Sequence, residues 1–297
     1  MGRVAVEPTD ARPARICYLL RRVHQHLYLA ATALLPDERH PRDIALLSVV
    51  AANAPVSQQW LADYLSINRS VMVKLIDSLE ASGDVVRDRR ADDRRSYALR
   101  TTAAGRRTIK QLAGVVDEAE EIVTRGLSTA ERGRLIALLQ AVVLPHFDPA
   151  PPEELRRLFG FLVAQANLRL EAASDARLAP SRLSVRTVVA LGLLARNAPC
   201  SQQELATLLE IGPAATVELV DELERPGLVR RTRNPEDRRS YSLSLTPAGE
   251  AALAGGRRIL GETATEFTSA LEDSDRRELE RLLSTLAGVE AAAGPAA

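Results

Sequence analysis

All but two of the 39 Lys+Arg residues in this 297-residue chain are arginine, the exceptions being Lys74 and Lys110. Ten arginines gather in two clusters, Arg87, Arg89, Arg90, Arg94 and Arg95 in the first, and Arg230, Arg231, Arg233, Arg238 and Arg239 in the second. A planar guanidinium that stays charged and sheds water at modest cost suits a narrow, electronegative groove of duplex DNA. Acidic residues interleave with the arginines, and Asp93 and Asp237 are placed to orient one of them through a bidentate pair. Asp+Glu also total 39, so the net charge is zero. A nucleic-acid reading therefore rests on where the charges stand and not on their sum.

Other reactive side chains point to less. Cys17 stands in an apolar helical stretch with Tyr18 and Tyr28 near by; a thiolate sensor needs a lowered pKa, and the plainer expectation is a buried, inert thiol. Cys200 precedes a capping serine and reads as inert. His24 and His26 point to different helix faces and cannot chelate together, so no metal site is expected with them or with His40. Trp60 and Tyr64, one turn apart, either line an effector pocket or pack beneath a neighbouring helix. Phosphate-cradling glycine loops, Ser-His-Asp sets and converging carboxylate pairs do not stand out, so neither an enzyme nor a cofactor is expected. Apolar runs are too short for a membrane span and the N-terminus lacks a signal-peptide pattern, which predicts a soluble, cytoplasmic protein without a membrane partner.

The elements that must carry the arginines are duplicated. Asn53-Ala-Pro-Val-Ser57-Gln-Gln-Trp-Leu61-Ala returns 144 residues later as Asn197-Ala-Pro-Cys-Ser201-Gln-Gln-Glu-Leu205-Ala, and Asp93-Arg-Arg-Ser-Tyr97 returns as Asp237-Arg-Arg-Ser-Tyr241. The proline-rich stretch Leu144 to Pro152 cannot continue a helix and reads as a stiff connector. Residues 1–144 and 153–297 are then two copies of one domain, joined by 145–152. Apolar spacing predicts first helices over Arg15 to Leu35 and Glu153 to Ala173, and second helices over Asp43 to Ala52 and Val185 to Arg196. Ser57 and Ser201 cap third helices. Fourth helices run to Gly83 and Gly227; in the first copy Val71, Leu75, Ile76 and Leu79 share one face, and Arg69, Ser70 and Lys74 the other. Hairpins follow, from Val85-Val86-Arg87 to Ser96 through Arg100 and from Leu228-Val229-Arg230 to Ser240 through Leu245. Thr102 and Thr246 cap fifth helices, and sixth helices from Thr129 to Val143 and from Ser274 to Val289 close each copy. The fold class is mainly α with two small β-wings, built as tandem winged helix-turn-helix domains. The second helix of such a unit fits the ~12 Å major groove while the wing reaches the adjacent minor groove.

Leu79-Glu80-x-x-Gly83-x-Val85-x-Arg87 with Asp93-Arg-Arg-Ser-Tyr-x-Leu99-x-x-Thr102-x-x-Gly105, and its second copy ending at Gly249, resembles the winged-helix core of the MarR family. The resemblance implies homodimeric repressors whose first, fifth and sixth helices form the dimer interface. It also implies that the fourth helix reads the major groove and that effectors bind between dimer helices and lobe. Here both protomers would be fused, giving an intramolecular pseudo-dimer in a monomeric chain, with higher assembly possible. Thr101 stands where the family usually has leucine. In the second fourth helix Pro213 and Glu218 stand where the first has Arg69 and Lys74, and a carboxylate beside phosphates is repelled. Unequal halves are the expectation: Asn68, Arg69, Ser70 and Lys74 read bases in the first, and the second leans on its wing and Thr216. The resulting partner is an imperfect palindrome of double-stranded DNA, released by a small-molecule effector of unknown identity. The alternatives are redox control through Cys17 and a protein-interaction module with degenerate DNA binding in the second half.

Overall fold

The computed structural model describes residues 12–36, 38–89, 97–209, 211–233 and 241–289. The first copy contains α1 (Arg12–Leu34), α2 (Asp43–Asn53), β1 (Val56–Ser57), α3 (Gln58–Tyr64), α4 (Arg69–Ala81), β2 (Val85–Arg89), β3 (Tyr97–Thr101), α5 (Ala103–Thr124) and α6 (Thr129–Val143). The second contains α7 (Glu153–Arg157), α8 (Phe159–Leu178), α9 (Val185–Asn197), β4 (Cys200–Ser201), α10 (Gln202–Leu209), α11 (Pro213–Glu224), β5 (Val229–Arg233), β6 (Tyr241–Leu245), α12 (Pro247–Phe267) and α13 (Asp273–Ala287). The chain is mainly helical with two antiparallel sheets, ordered β1-β3-β2 and β4-β6-β5. No single helix among the described residues is long and apolar enough to cross a membrane.

The predicted caps form. Ser57 Oγ accepts the Trp60 N–H at 3.0 Å, and Ser201 and Glu204 make a reciprocal capping box at 3.1 and 2.7 Å. Gly83 and Gly227 take φ of +72° and +75°, the left-handed geometry that ends α4 and α11 at low cost. The edge strands β1 and β4 were outside the sequence expectation. Each is two residues long, too short for a period to show, and exists because Val56 and Cys200 pair with Leu99 and Leu243.

Three expectations need correction. On α4 it is Met72, not Val71, that joins Leu75, Ile76 and Leu79 in the core, whereas Val71 is exposed. The single helix expected from Glu153 to Ala173 is broken at Leu158 and then runs on to Leu178. The break has a tertiary cause: the buried Glu120 carboxylate on α5 accepts the Gly160 N–H at 2.7 Å and so caps α8 from outside. The proline-rich stretch is also not a bare spacer. It opens with a 3-10 turn, Leu144–His146, then buries Phe147 against Tyr64 with ring centroids 4.9 Å apart; the Tyr64 hydroxyl donates to Pro149 O at 2.9 Å.

The chain forms two compact bodies, one of Ile16–Leu170 together with the segment from Phe267, the other centred on Glu171–Glu266. The first holds the first winged lobe, whose core includes Leu46, Leu61, Met72, Ile76 and Leu99. It also holds helices from both copies. Arg134 on α6 donates to Asp275 and, at 2.9 Å, to Glu278 on α13, and Arg281 donates to Glu131 at 3.1 Å. His26 Nδ1 on α1 lies 3.1 Å from Leu286 O. The second body is the second winged lobe, packed around Leu191, Leu194, Leu205, Leu219, Leu223 and Leu243.

Candidate nucleic-acid interface

In the first lobe α4 is presented by its cap. Asn68 Oδ1 accepts the Ser70 N–H at 2.9 Å and the Ser70 hydroxyl at 2.7 Å, so this side chain fixes where the helix starts. Arg69, Ser70 and Lys74 stand exposed on the face opposite the buried Met72, Leu75, Ile76 and Leu79. Two cations and a hydroxyl along a solvent-facing helix make a surface suited to phosphates and base edges.

The second lobe presents a different face. Pro213 opens α11, its Gly212 cap offers no side-chain bond, and Val217, Glu218, Asp221 and Glu222 are exposed. Thr216 does not belong to that face. It is buried, with its hydroxyl donating to Gly212 O at 3.0 Å, because its place on the helix points it into the core beside Leu219 and Val220. The expected base contact through Thr216 is therefore replaced by a structural role.

Among the described arginines of the two clusters, Arg87 and Arg231 are employed inside the protein. Arg87 on β2 donates to Asp77 and Glu80 of α4 and, at 3.3 Å, to Gln58 Oε1. Arg231 on β5 pairs with Asp221 and, at 3.1 Å, with Glu224 of α11. The same triad recurs at the 144-residue offset, and in each lobe it ties the first wing strand to the fourth helix. Arg87 and Arg231 thus hold the wing in place instead of projecting from it. The sequence reading named Glu80 only as a motif residue and left out Asp77, although the recurrence of both as Asp221 and Glu224 was visible. Arg230 is exposed. Arg89 and Arg233 end β2 and β5. Arg90, Asp93, Arg94, Arg95, Asp237, Arg238 and Arg239 lie outside the described residues.

The first body also holds a partly open cavity of about 90 Å³ between α1, α2, α5 and α8, with apolar walls that include Leu27, Ile44, Ile67 and Phe161 and polar groups from His24, Arg42, Glu120 and Gln165. Of the residues expected near an effector, Tyr28 lines this cavity. Trp60 instead stacks on Tyr64 with centroids 4.6 Å apart, and Cys17 and Tyr18 are not in its wall. Burial pushes the Cys17 thiol up to about 12, the direction opposite to that of a thiolate sensor, and burial with the neighbouring Glu204 raises Cys200 to about 11.

Burial, reinforced by Arg42, lowers His24 to about 4. The folded protein holds this imidazole neutral while the unfolded chain protonates it near its ordinary value of 6.5. Its contribution is present above pH 6.5 and is lost as the pH falls toward 4, a loss of up to about 3 kcal/mol. Urea unfolding of His24→Leu should accordingly show a flatter acid limb between pH 6.5 and 4 than the parent; parallel limbs would refute the assignment.

Comparison with known proteins follows the repeat. One MarR family model matches residues 183–241 and a second matches residues 38–96. A transcriptional regulatory protein named for the hcr operon of Thauera aromatica is 38% identical over 95 residues, 32% of this chain and 57% of that protein. The HTH-type transcriptional repressor MdtR of Bacillus subtilis is 30% identical over 122 residues, 40% of this chain and 73% of that protein. Among solved structures, the transcriptional repressor CouR bound to a 23-mer DNA duplex is 36% identical, with a TM-score of 0.42 over 46% of this chain and 94% of that chain. The chain thus spans little more than half the length of the Thauera relative.

Proposed function

Because this chain belongs to the MarR family, in two tandem copies, we propose that it is a DNA-binding transcriptional regulator acting as a repressor, with both reading units of a former dimer on one polypeptide. The observation that carries this reading is the α4 face. A capped helix with Arg69, Ser70 and Lys74 turned to solvent is locked to its wing by Arg87. Occupying a promoter through this face blocks polymerase. A small molecule that prefers another arrangement of the reading helices releases it, by no more than that preference allows.

The fused-dimer reading draws support from the helices that the first body takes from both copies. Arg134 and Glu278 occupy the same position of the repeat, yet they pair with each other at 2.9 Å. In a homodimer the residue meeting its own equivalent would be a like charge. The opposite signs favour pairing of the first copy with the second over pairing of two identical copies. Tethering adds an effective concentration of roughly millimolar or above.

The partner is an imperfect palindrome with half-sites about 10 base pairs apart. The first half-site is read through Arg69, Ser70 and Lys74, and the second is held chiefly through the wing that carries Arg230, Arg233, Arg238 and Arg239. Sequencing duplexes recovered from a random pool by the purified chain should return two unequal half-sites, with log affinity falling linearly in log salt. Binding that ignored salt would favour a protein-contact module instead. Control through Cys17 is the weaker reading, since its thiol is held protonated.

A further inference from the structure

Only Leu65, Ser66 and Ile67 separate the end of α3 from the Asn68 cap of the first reading helix, α4. Ser66 has a φ of +53°, a left-handed conformation that a residue other than glycine keeps where its surroundings fix it. Part of that fixing comes from outside the winged lobe. The last carbonyls of a helix have no partner within it. Two at the end of α3 are taken by α8, which belongs to the second copy: Arg169 Nη2 donates to Tyr64 O at 2.7 Å, and Gln165 Nε2 to Leu65 O at 3.1 Å.

The connector between the copies supplies a third hold. Phe147 lies with its ring 4.9 Å from that of Tyr64 and 5.9 Å from that of Phe161, and the Arg169 guanidinium carbon stands 4.2 Å above its centroid. A cation over an aromatic face is attracted to it, which steadies the guanidinium that reaches Tyr64 O. Trp60 stacks on Tyr64 at 4.6 Å, so four of the ten Phe, Trp and Tyr rings of the chain meet at this turn. The Tyr64 hydroxyl adds its bond to Pro149 O of the connector. At the positions 144 residues on, Trp60, Tyr64 and Phe147 give way to Glu204, Leu208 and Ala291, so the aromatic set belongs to the first copy. A connector, moreover, exists only because the copies are fused.

We propose that the segment joining the two copies is a positioning element for the first reading helix: Phe147 of the connector and Gln165 and Arg169 of α8 hold the turn between α3 and α4, and with it the angle at which Arg69, Ser70 and Lys74 are offered to DNA. The effect on binding rests on the DNA reading above; the hold on the turn does not. Phe147 and Gln165 are buried and Arg169 is half-buried, so all three act through the turn and contact no phosphate. Arg169→Met keeps an unbranched apolar stem and deletes the guanidinium. In footprints on one duplex it should lose about tenfold at the half-site that Arg69→Ala/Lys74→Ala also loses, and under about twofold at the other. Its salt slope should equal that of the parent, whereas a lost phosphate contact flattens it. Arg169→Lys, which keeps a donor for Tyr64 O, should fall between Arg169→Met and the parent. Phe147→Leu, which keeps an apolar filling and removes the ring, should act in the same direction as Arg169→Met. Without DNA, hydrogen exchange of the intact chain should quicken over residues 65–70 in Arg169→Met and stay unchanged over α10 and α11. Equal loss at both half-sites, a flattened salt slope, full affinity in Arg169→Met, or unchanged exchange over residues 65–70 would each overturn the proposal. A parent chain that binds no DNA would remove the regulator reading, and hydrogen exchange would still decide whether α8 and the connector hold the turn.

Discussion

Replacing Arg69 and Lys74 together by alanine is expected to cost DNA affinity roughly a hundredfold, and to erase protection of one half-site while the other persists. Both side chains are exposed at the start of α4, outside the packing of Met72, Leu75, Ile76 and Leu79, so the helix itself survives. Two lost phosphate or base contacts should also flatten the salt dependence by about two in slope. Glu218→Ala, at the position equivalent to Lys74, removes a repelled carboxylate and should hold or tighten the second half-site. Footprints of the double variant and of Glu218→Ala, compared on one duplex, decide the matter: equal loss at both half-sites after Arg69→Ala/Lys74→Ala would refute an asymmetric reader.

A second large effect is expected where the fifth helix of each copy meets its wing. A Cβ at Gly105 would stand 2.2 Å from Asp84 O and 2.7 Å from Thr101 Cγ2, and one at Gly249 would stand 2.0 Å from Leu228 O. The obstacle in both copies is backbone, which cannot swing aside. Thr102 and Thr246 tighten the same joint, each accepting the N–H of its glycine at 3.0 or 3.1 Å while donating to Gly83 O or Gly227 O at 2.7 or 2.6 Å. Gly105→Ala and Gly249→Ala should each destabilise by about 2–4 kcal/mol in urea unfolding. Gly114 and Gly255 lie on the same two helices with nothing within 4 Å of an added Cβ. Alanine there should stabilise by roughly 0.5–1 kcal/mol, so the sign of the change separates contact from helix propensity. A Gly249→Ala protein as stable as its parent would mean that α12 does not press on Leu228 O.

Much of the architecture was legible beforehand because it is written in local chemistry. Ser57, Ser201, Thr102 and Thr246 announce helix starts through groups they can satisfy within three residues, and Gly83 and Gly227 announce helix ends. The 144-residue repeat added redundancy, since two copies of one pattern leave little room for accident. Val71 against Met72 was a matter of a single step around a helix, below what apolar spacing resolves. Thr216 was misjudged for a related reason: a hydroxyl near a helix start reads as a donor to a partner until the packing shows that it faces the core.

The sequence by itself determined the kind of fold, its duplication and the charge difference between the two reading helices, all of which follow from residue type and short-range spacing. Only the tertiary structure decided that Arg87 and Arg231 serve as internal ties and that Glu120 starts a helix of the other copy. It also decided that a cavity opens beside Ala31 and Ala119. The physical reason is common to all three. Each depends on which side chains from distant segments come within hydrogen-bond reach, and that distance is set by packing of whole helices, on which the order of residues along the chain is silent.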